Sequence, residues 1–229
     1  MAKLQNSFPK NNKTSHLIPE IENIIEYPSF KIRLIHYNDT LKDINLDSIV
    51  DNRAIERINN AKSTKRKLEI YYTQLLWQSF KLNSLINYHT SGKPTIGDGF
   101  ISISHSQNLV AICYSKEFDI GIDLEYFSEK LARIKERFIN PLELQIINSS
   151  SINDLALLWS CKEAAYKYLD LEAVFFKDCL ILKEKSDNQG FIQVYHPKYS
   201  GVLYLKYIVL DLHQTVLTIV SSNKQVISL

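Results

Sequence analysis

Two acids stand two residues apart in the stretch DIGIDLEY, Asp119 to Tyr126. On an extended chain Asp123 and Glu125 point to one face, and Ile122 and Leu124 to the other. Acids are poor strand formers and like charges on one face repel, so a positive partner is expected between them. Glu163, in a strongly helical stretch, offers a third carboxylate. Three carboxylates with room left for water and phosphate oxygens suit a hard cation such as Mg²⁺. No His or Cys cluster accompanies them, which disfavours zinc. The plainer reading is a solvated strand face, with Glu163 paired to Lys167 at the favourable i, i+4 spacing.

A second group of reactive residues lies upstream. Ser104, His105 and Ser106 sit where a strand is expected to end. They suit either a Ser–His hydrolase or the recognition of a phosphate by hydroxyl, imidazole and amide donors. Alternating strand directions place His105 poorly as a base for either serine, and no G-x-S-x-G elbow is present. Gly92, Lys93 and Pro94 form a stiff loop that presents a lysine, as a phosphate ligand or as a plain solvated charge. The basic run Lys62 to Lys67 is either a phosphate contact or the wet side of a helix. There is no Walker loop and no G-x-G-x-x-G.

These groups need elements to hold them. Phe30 to Tyr37 alternates as a strand, and Arg53 to Phe80 reads as one helix with an apolar stripe. A turn-rich loop, HTSGKPTIGDG, precedes strands at Phe100–Ser104 and Leu109–Ser115, joined by HSQN. After the acidic strand, SEKLARIKERFI is amphipathic. Asn140-Pro141-Leu142-Glu143 reads as a cap, a first-turn proline and a capping acid that open another helix. Asn153 to Leu169 is the strongest helix of all. Four β-rich runs close the chain and are expected to be antiparallel. The predicted fold class is α+β, a pseudo-twofold arrangement of two similar lobes, each a long helix on a small antiparallel sheet. The lobes are expected to span residues 1–115 and 116–229.

Composition restricts the possibilities. The 229 residues are 45% hydrophobic and 11% aromatic, enough for a sizeable core. A net charge of +2 does not mark a nucleic-acid binder. Residues 1–115 carry 14 Lys+Arg against 10 Asp+Glu (+4), and the remainder 13 against 15 (−2). The tilt suggests that the first half meets an anion and the second a cation. Three cysteines without a C-x-x-C pair argue for a reducing compartment. The polar first 15 residues lack a secretory h-region and are expected to be mobile. No apolar run reaches membrane-spanning length. A cytoplasmic protein without membrane or nucleic-acid partners is expected.

GKP, FISISHS, GIDLE and WSCKEAAYK, in that order and spacing, resemble the 4′-phosphopantetheinyl transferases of the larger, surfactin-synthetase-activating type. The resemblance covers about residues 30 to 185. It implies transfer of the phosphopantetheine arm of coenzyme A to a serine of an acyl or peptidyl carrier protein, with release of adenosine 3′,5′-bisphosphate. It implies Mg²⁺ on Asp123, Glu125 and Glu163, with Glu163 also the base, directly or through water. Catalytic roles would fall on Glu163, Lys167 and Asp123. Coenzyme A would meet Lys93, Pro94, Ser104, His105 and Lys167. Arg53, Arg57 and Arg66 are candidates for its 3′-phosphate, with Arg66 preferred. Trp159 and Ala164 would be packing residues, and Lys162 would touch the nucleotide or the surface. The segment after the helix motif, DLEAVFFKD, lacks the glycines that relatives often carry there. A monomer is expected. Competing readings are a non-catalytic module that binds coenzyme A or a carrier, another Mg²⁺-dependent phosphoryl-transfer enzyme, and, last, a Ser–His hydrolase.

Overall fold

The computed structural model describes residues 20–27, 30–37, 44–224 and 227; the polar leader expected to be mobile lies outside them. The chain opens with strands β1 (Ile21–Tyr27) and β2 (Phe30–His36), then helices α1 (Asn52–Asn60) and α2 (Thr64–Ser79). Strands β3 (Asn87–Tyr88), β4 (Pro94–Thr95), β5 (Phe100–Ser106), β6 (Leu109–Ser115) and β7 (Gly121–Tyr126) follow. Next come α3 (Glu129–Ile134), 3-10 turns at Lys135–Arg137 and Pro141–Gln145, α4 (Ile152–Leu169) and α5 (Phe176–Cys179). Strands β8 (Leu180–Lys185), β9 (Gln189–His196), β10 (Tyr199–Leu210) and β11 (Thr215–Ser221) complete the chain.

The strands form two antiparallel sheets, ordered β1-β2-β6-β5 and β7-β11-β10-β9-β8, plus the β3-β4 hairpin. The α+β expectation therefore holds, with α2 on the first sheet and α4 on the second. Leu68, Tyr72, Leu76 and Trp77 of α2 pack on Val110 and Ile112 of β6. Leu155, Leu158, Cys161 and Ala165 of α4 pack on Leu205 of β10 and Val216 and Val220 of β11. A third core joins the sheets to each other. In it Ile32 and Leu34 of β2 and Ala111 and Cys113 of β6 meet Ile122 and Leu124 of β7 and Leu217 and Ile219 of β11. With apolar neighbours on both faces, β6 is buried from end to end.

Several local expectations need correction. The helix read from Arg53 to Phe80 is two helices. Asp51 caps α1 by accepting from the Arg53 amide, Ala61 turns extended, and the Ser63 hydroxyl accepts from the Arg66 amide to start α2. A serine able to cap competes with helix continuation, and here the cap prevails. The helix expected at Asn140 has its capping box, with Asn140 and Glu143 bonded reciprocally, but it stays a 3-10 turn of five residues. The loop HTSGKPTIGDG contains β4, half of the small hairpin. Finally, β5 continues through Ser106, so His105 lies within the strand and only Gln107 and Asn108 make the turn.

Candidate active site

The site begins where the two sheets meet edge to edge. β5 and β7 are both edge strands and lie against each other. They are joined through side chains. The amide of Ile122 donates to Ser102 Oγ (2.9 Å) and the amide of Leu124 to Ser104 Oγ (3.0 Å). Serines at i and i+2 on β5 thus satisfy alternate amides of β7, closing two sheet edges that would otherwise be left unpaired. The Ser104 hydroxyl donates in turn to Asp123 Oδ1 (3.0 Å) and accepts from Lys167 Nζ (2.9 Å).

Lys167 also bonds Asp123 Oδ1 directly, at 2.8 Å. The Glu163–Lys167 pair of the plainer reading does not form: the lysine crosses from α4 to the strand acid instead. α4 can lie this close to β7 because Gly121 has no side chain, since a Cβ there would sit 2.1 Å from the Ala164 carbonyl oxygen. Fully buried Ser160 adds a bond from α4 to the Asp123 carbonyl (3.4 Å).

The acids are under-satisfied. Asp123 is 5% exposed, and its Oδ2 is buried without a partner. Glu125 and Glu163 are half-buried, and neither has a hydrogen bond or ion pair. Burial, followed by the charges of Asp123 and Glu163, pushes the Glu125 carboxyl up to about 7. Burial, followed by Asp123, does the same to Glu163, also to about 7. Groups raised in this way repel one another's ionisation. Among the described residues no group of three or more His, Cys, Asp or Glu side chains is already gathered closely enough to hold a metal ion. Asp123, Glu125 and Glu163 lie within electrostatic reach of one another and keep lone pairs unspent. Such a donor set fits a hard divalent cation that takes only part of its coordination from protein.

The phosphate-binding candidates surround this centre. A cleft of about 400 Å³ opens beside it, walled by Lys93, Pro94, Ser102, Tyr166, Lys167 and Leu171. Lys93 bridges the two halves: its ammonium donates to the Tyr168 carbonyl at the end of α4 (3.1 Å) and lies 3.5 Å from Asp119. The His105 Nε2 lies 2.8 Å from Thr73 Oγ1, whose own proton goes to the Glu69 carbonyl (2.6 Å). Nε2 must then carry the proton it shares with Thr73, which leaves Nδ1 as an acceptor. Burial first, then Lys167, Arg66 and Lys65, pushes the imidazole down to about 3. Three cations thus lie within electrostatic reach of a neutral histidine. Arg66 bonds Glu69 (3.0 Å) and is one of those cations. Arg53 is tied to Asp51 and Asn87, and Arg57 lies over the Tyr88 ring.

Ser104 is 2% exposed and its hydroxyl is engaged by Asp123, Lys167 and the Leu124 amide, so it acts as a strut between strands. One sequence expectation is corrected here. Lys162 reaches neither nucleotide nor surface: it is fully buried against Glu143. Trp159 does pack, stacking between Phe138 and Phe176, and Ala164 is fully buried. Sequence reasoning missed Ser102, Thr73 and Gly121. The serine pair had a visible signal, a polar i, i+2 stripe in ISIS facing the acidic i, i+2 stripe in GIDLE.

Comparison with known proteins agrees with this layout. Residues 119–220, which carry β7, α4 and their sheet, match the family model of the 4′-phosphopantetheinyl transferase superfamily. The chain is similar to the 4′-phosphopantetheinyl transferase HetI of Nostoc sp. (strain PCC 7120), 34% identical over 93 residues. That alignment takes in 35% of this chain and 39% of the relative's length. The acidic strand and its facing helix thus fall within the segment, residues 119–220, that resembles the 4′-phosphopantetheinyl transferase superfamily.

Proposed function

We propose that this chain transfers the 4′-phosphopantetheine arm of coenzyme A to a serine hydroxyl of an apo acyl or peptidyl carrier protein. The observation that carries the reading is the facing of Asp123 and Glu125 on β7 with Glu163 on α4, under-satisfied and beside a cleft walled by Lys93 and Lys167. Asp123, Glu125 and Glu163 would hold Mg²⁺, which when bound neutralises the charge of the pyrophosphate and favours attack on it. The protein's own residues account for the rest. Lys93 and Lys167 bind and orient phosphate oxygens, and His105 joins them by taking up a proton at Nδ1 when the anion arrives. Lys65 and Arg66, whose charges reach His105, suit the 3′-phosphate. Glu163 would also accept the serine proton, directly or through water. The serine oxygen forms a bond to the β-phosphorus, the bridging P–O bond breaks, and adenosine 3′,5′-bisphosphate leaves. Positioning and charge stabilisation supply most of the acceleration, as is general for phosphoryl transfer.

In this reading the chain works as a monomer of two lobes, residues 1–115 and 116–229, with coenzyme A between them. The three cysteines are free and buried, which suits a reducing cytoplasm. Among the described residues no helix is long and apolar enough to cross a membrane. Intact-mass spectrometry of a panel of apo carrier proteins, each incubated with the chain, coenzyme A and Mg²⁺, tests the proposal. A carrier heavier by one phosphopantetheine supports it. Tight coenzyme A binding without transfer to any carrier would favour a non-catalytic module.

A further inference from the structure

Among the described residues one ion pair is fully buried, and the proposed chemistry does not use it. Lys162 and Glu143 are both 0% exposed and lie 2.8 Å apart. The Lys162 ammonium also donates to the carbonyls of Phe138 (2.6 Å) and Phe176 (3.0 Å). Its three protons are therefore spent, and none is left for a ligand. Glu143 is equally engaged: Oε2 accepts from the Asn140 amide (2.7 Å) and Oε1 from the Leu182 amide (2.8 Å). Together the two side chains tie α4, the 3-10 turn Pro141–Gln145, β8 and the start of α5.

What the pair anchors borders the cleft. Residues 170–175 connect α4 to α5, and Asp170, Leu171 and Glu172 line the cavity. This connection has no glycine, yet Asp170 (φ 47°) and Ala173 (φ 56°) both adopt left-handed backbone. Left-handed alanine is strained and persists only where its surroundings impose it. One end of the segment is the last turn of α4. The other end is the Phe176 carbonyl, held by Lys162.

We propose that Lys162 and Glu143 form a positioning pair, which holds the glycine-free segment 170–175 in its strained shape and so fixes one wall of the coenzyme A cleft. The inference rests on the transferase reading for the identity of the ligand, but not for the anchoring itself. The pair shapes the wall and leaves the acids of β7 and α4 in place. Its loss should therefore raise KM for coenzyme A far more than it lowers kcat.

The test removes both charges together with Lys162→Met/Glu143→Gln, since removing one alone would strand a buried charge. The neutral amide at 143 still accepts from the Leu182 amide. KM for coenzyme A is expected to rise at least about tenfold with kcat within about threefold. Adding Ala173→Gly, which relieves the left-handed strain, is expected to recover part of the KM. Native KM in a folded double variant, or a fall in kcat alone, overturns the proposal. If that double variant does not fold, Lys162→Gln/Glu143→Gln, which also leaves no buried charge, is examined by hydrogen exchange. Faster exchange at the amides of Asp170, Asp178 and Cys179, which close the two ends of the segment, supports the proposal when β5 and β6 stay unchanged. Unchanged exchange at those ends, or a uniform rise everywhere, overturns it. A wild-type chain that binds no coenzyme A would instead defeat the transferase reading and leave the exchange result standing.

Discussion

Gly121→Ala tests whether the contact between β7 and α4 builds the site. The new Cβ would lie 2.1 Å from the Ala164 carbonyl oxygen, 2.9 Å from the Tyr168 amide nitrogen and 3.0 Å from the Tyr168 Cβ. Two of these neighbours are backbone atoms of α4, so no side-chain rotation relieves the clash. Real Cβ contacts are essentially never under 3.0 Å, and reaching that limit moves helix and strand apart by about 0.9 Å. Ala164 adjoins Glu163, and Gly121 lies two residues before Asp123, so the separation enters the carboxylate spacing almost undiminished. A misplacement of about 1 Å costs roughly 100-fold in rate, and overpacking of this kind costs about 1–3 kcal/mol of stability. At about 2–4 °C per kcal/mol for a chain of this size, Tm should fall by roughly 2–12 °C. Turnover on a carrier protein and thermal melting are measured together. Gly201→Ala in β10 is the control, because its Cβ would meet only the Tyr199 ring, at 3.4 Å or more. Wild-type turnover in Gly121→Ala would refute the reasoning that this close approach sets the geometry of the acids.

Further outcomes follow from the same geometry. Ser104→Ala leaves the Leu124 amide buried without an acceptor, at about 1–3 kcal/mol, and also frees Asp123 and Lys167. Ser102→Ala strands only the Ile122 amide, so the two should melt alike while Ser104→Ala loses much more activity; equal kinetics would deny Ser104 its strut role. Glu163 stays protonated up to about 7 in the folded chain, whereas an unfolded glutamate ionises above 4.5. The folded state then holds the extra proton, and stability declines as pH rises between those values. In metal-free buffer Glu163→Gln should therefore melt higher than wild type at pH 8 and equal to it near pH 4; a gain that is independent of pH would contradict the assignment. His105, held down to about 3 by burial and neighbouring cations, should take up a proton when an anion screens those cations. Calorimetry of coenzyme A binding near pH 6 in buffers of different ionisation enthalpy should register that uptake, and buffer-independent heats would show that His105 stays neutral.

How much of this was legible in the sequence depended on range. The acidic strand was readable because its period of two is local, and Ile122 and Leu124 do enter the core while Asp123 and Glu125 turn away from it. The helix of α4 was readable from its apolar residues within one residue of its observed start. The break before α2 was missed because a serine cap acts on a single amide and leaves the apolar stripe intact. The protein partners of Ser104 were hidden because they lie on β7 and α4, 19 and 63 residues away, and only tertiary structure brings them to it. Lys162 likewise looks solvent-facing until Glu143, 19 residues earlier, is seen to accept it in the core. Gly121 gave no local hint either, since its role is a close approach by Ala164 and Tyr168 of α4, more than 40 residues downstream.

The most direct test of the account is the position of a divalent cation. Crystals grown with coenzyme A and Mn²⁺, which substitutes for Mg²⁺ at oxygen sites, can be measured at the manganese absorption edge. The account predicts one anomalous peak shared by the carboxylates of Asp123, Glu125 and Glu163. A peak elsewhere in the molecule, with these three side chains unligated and coenzyme A bound, would contradict it.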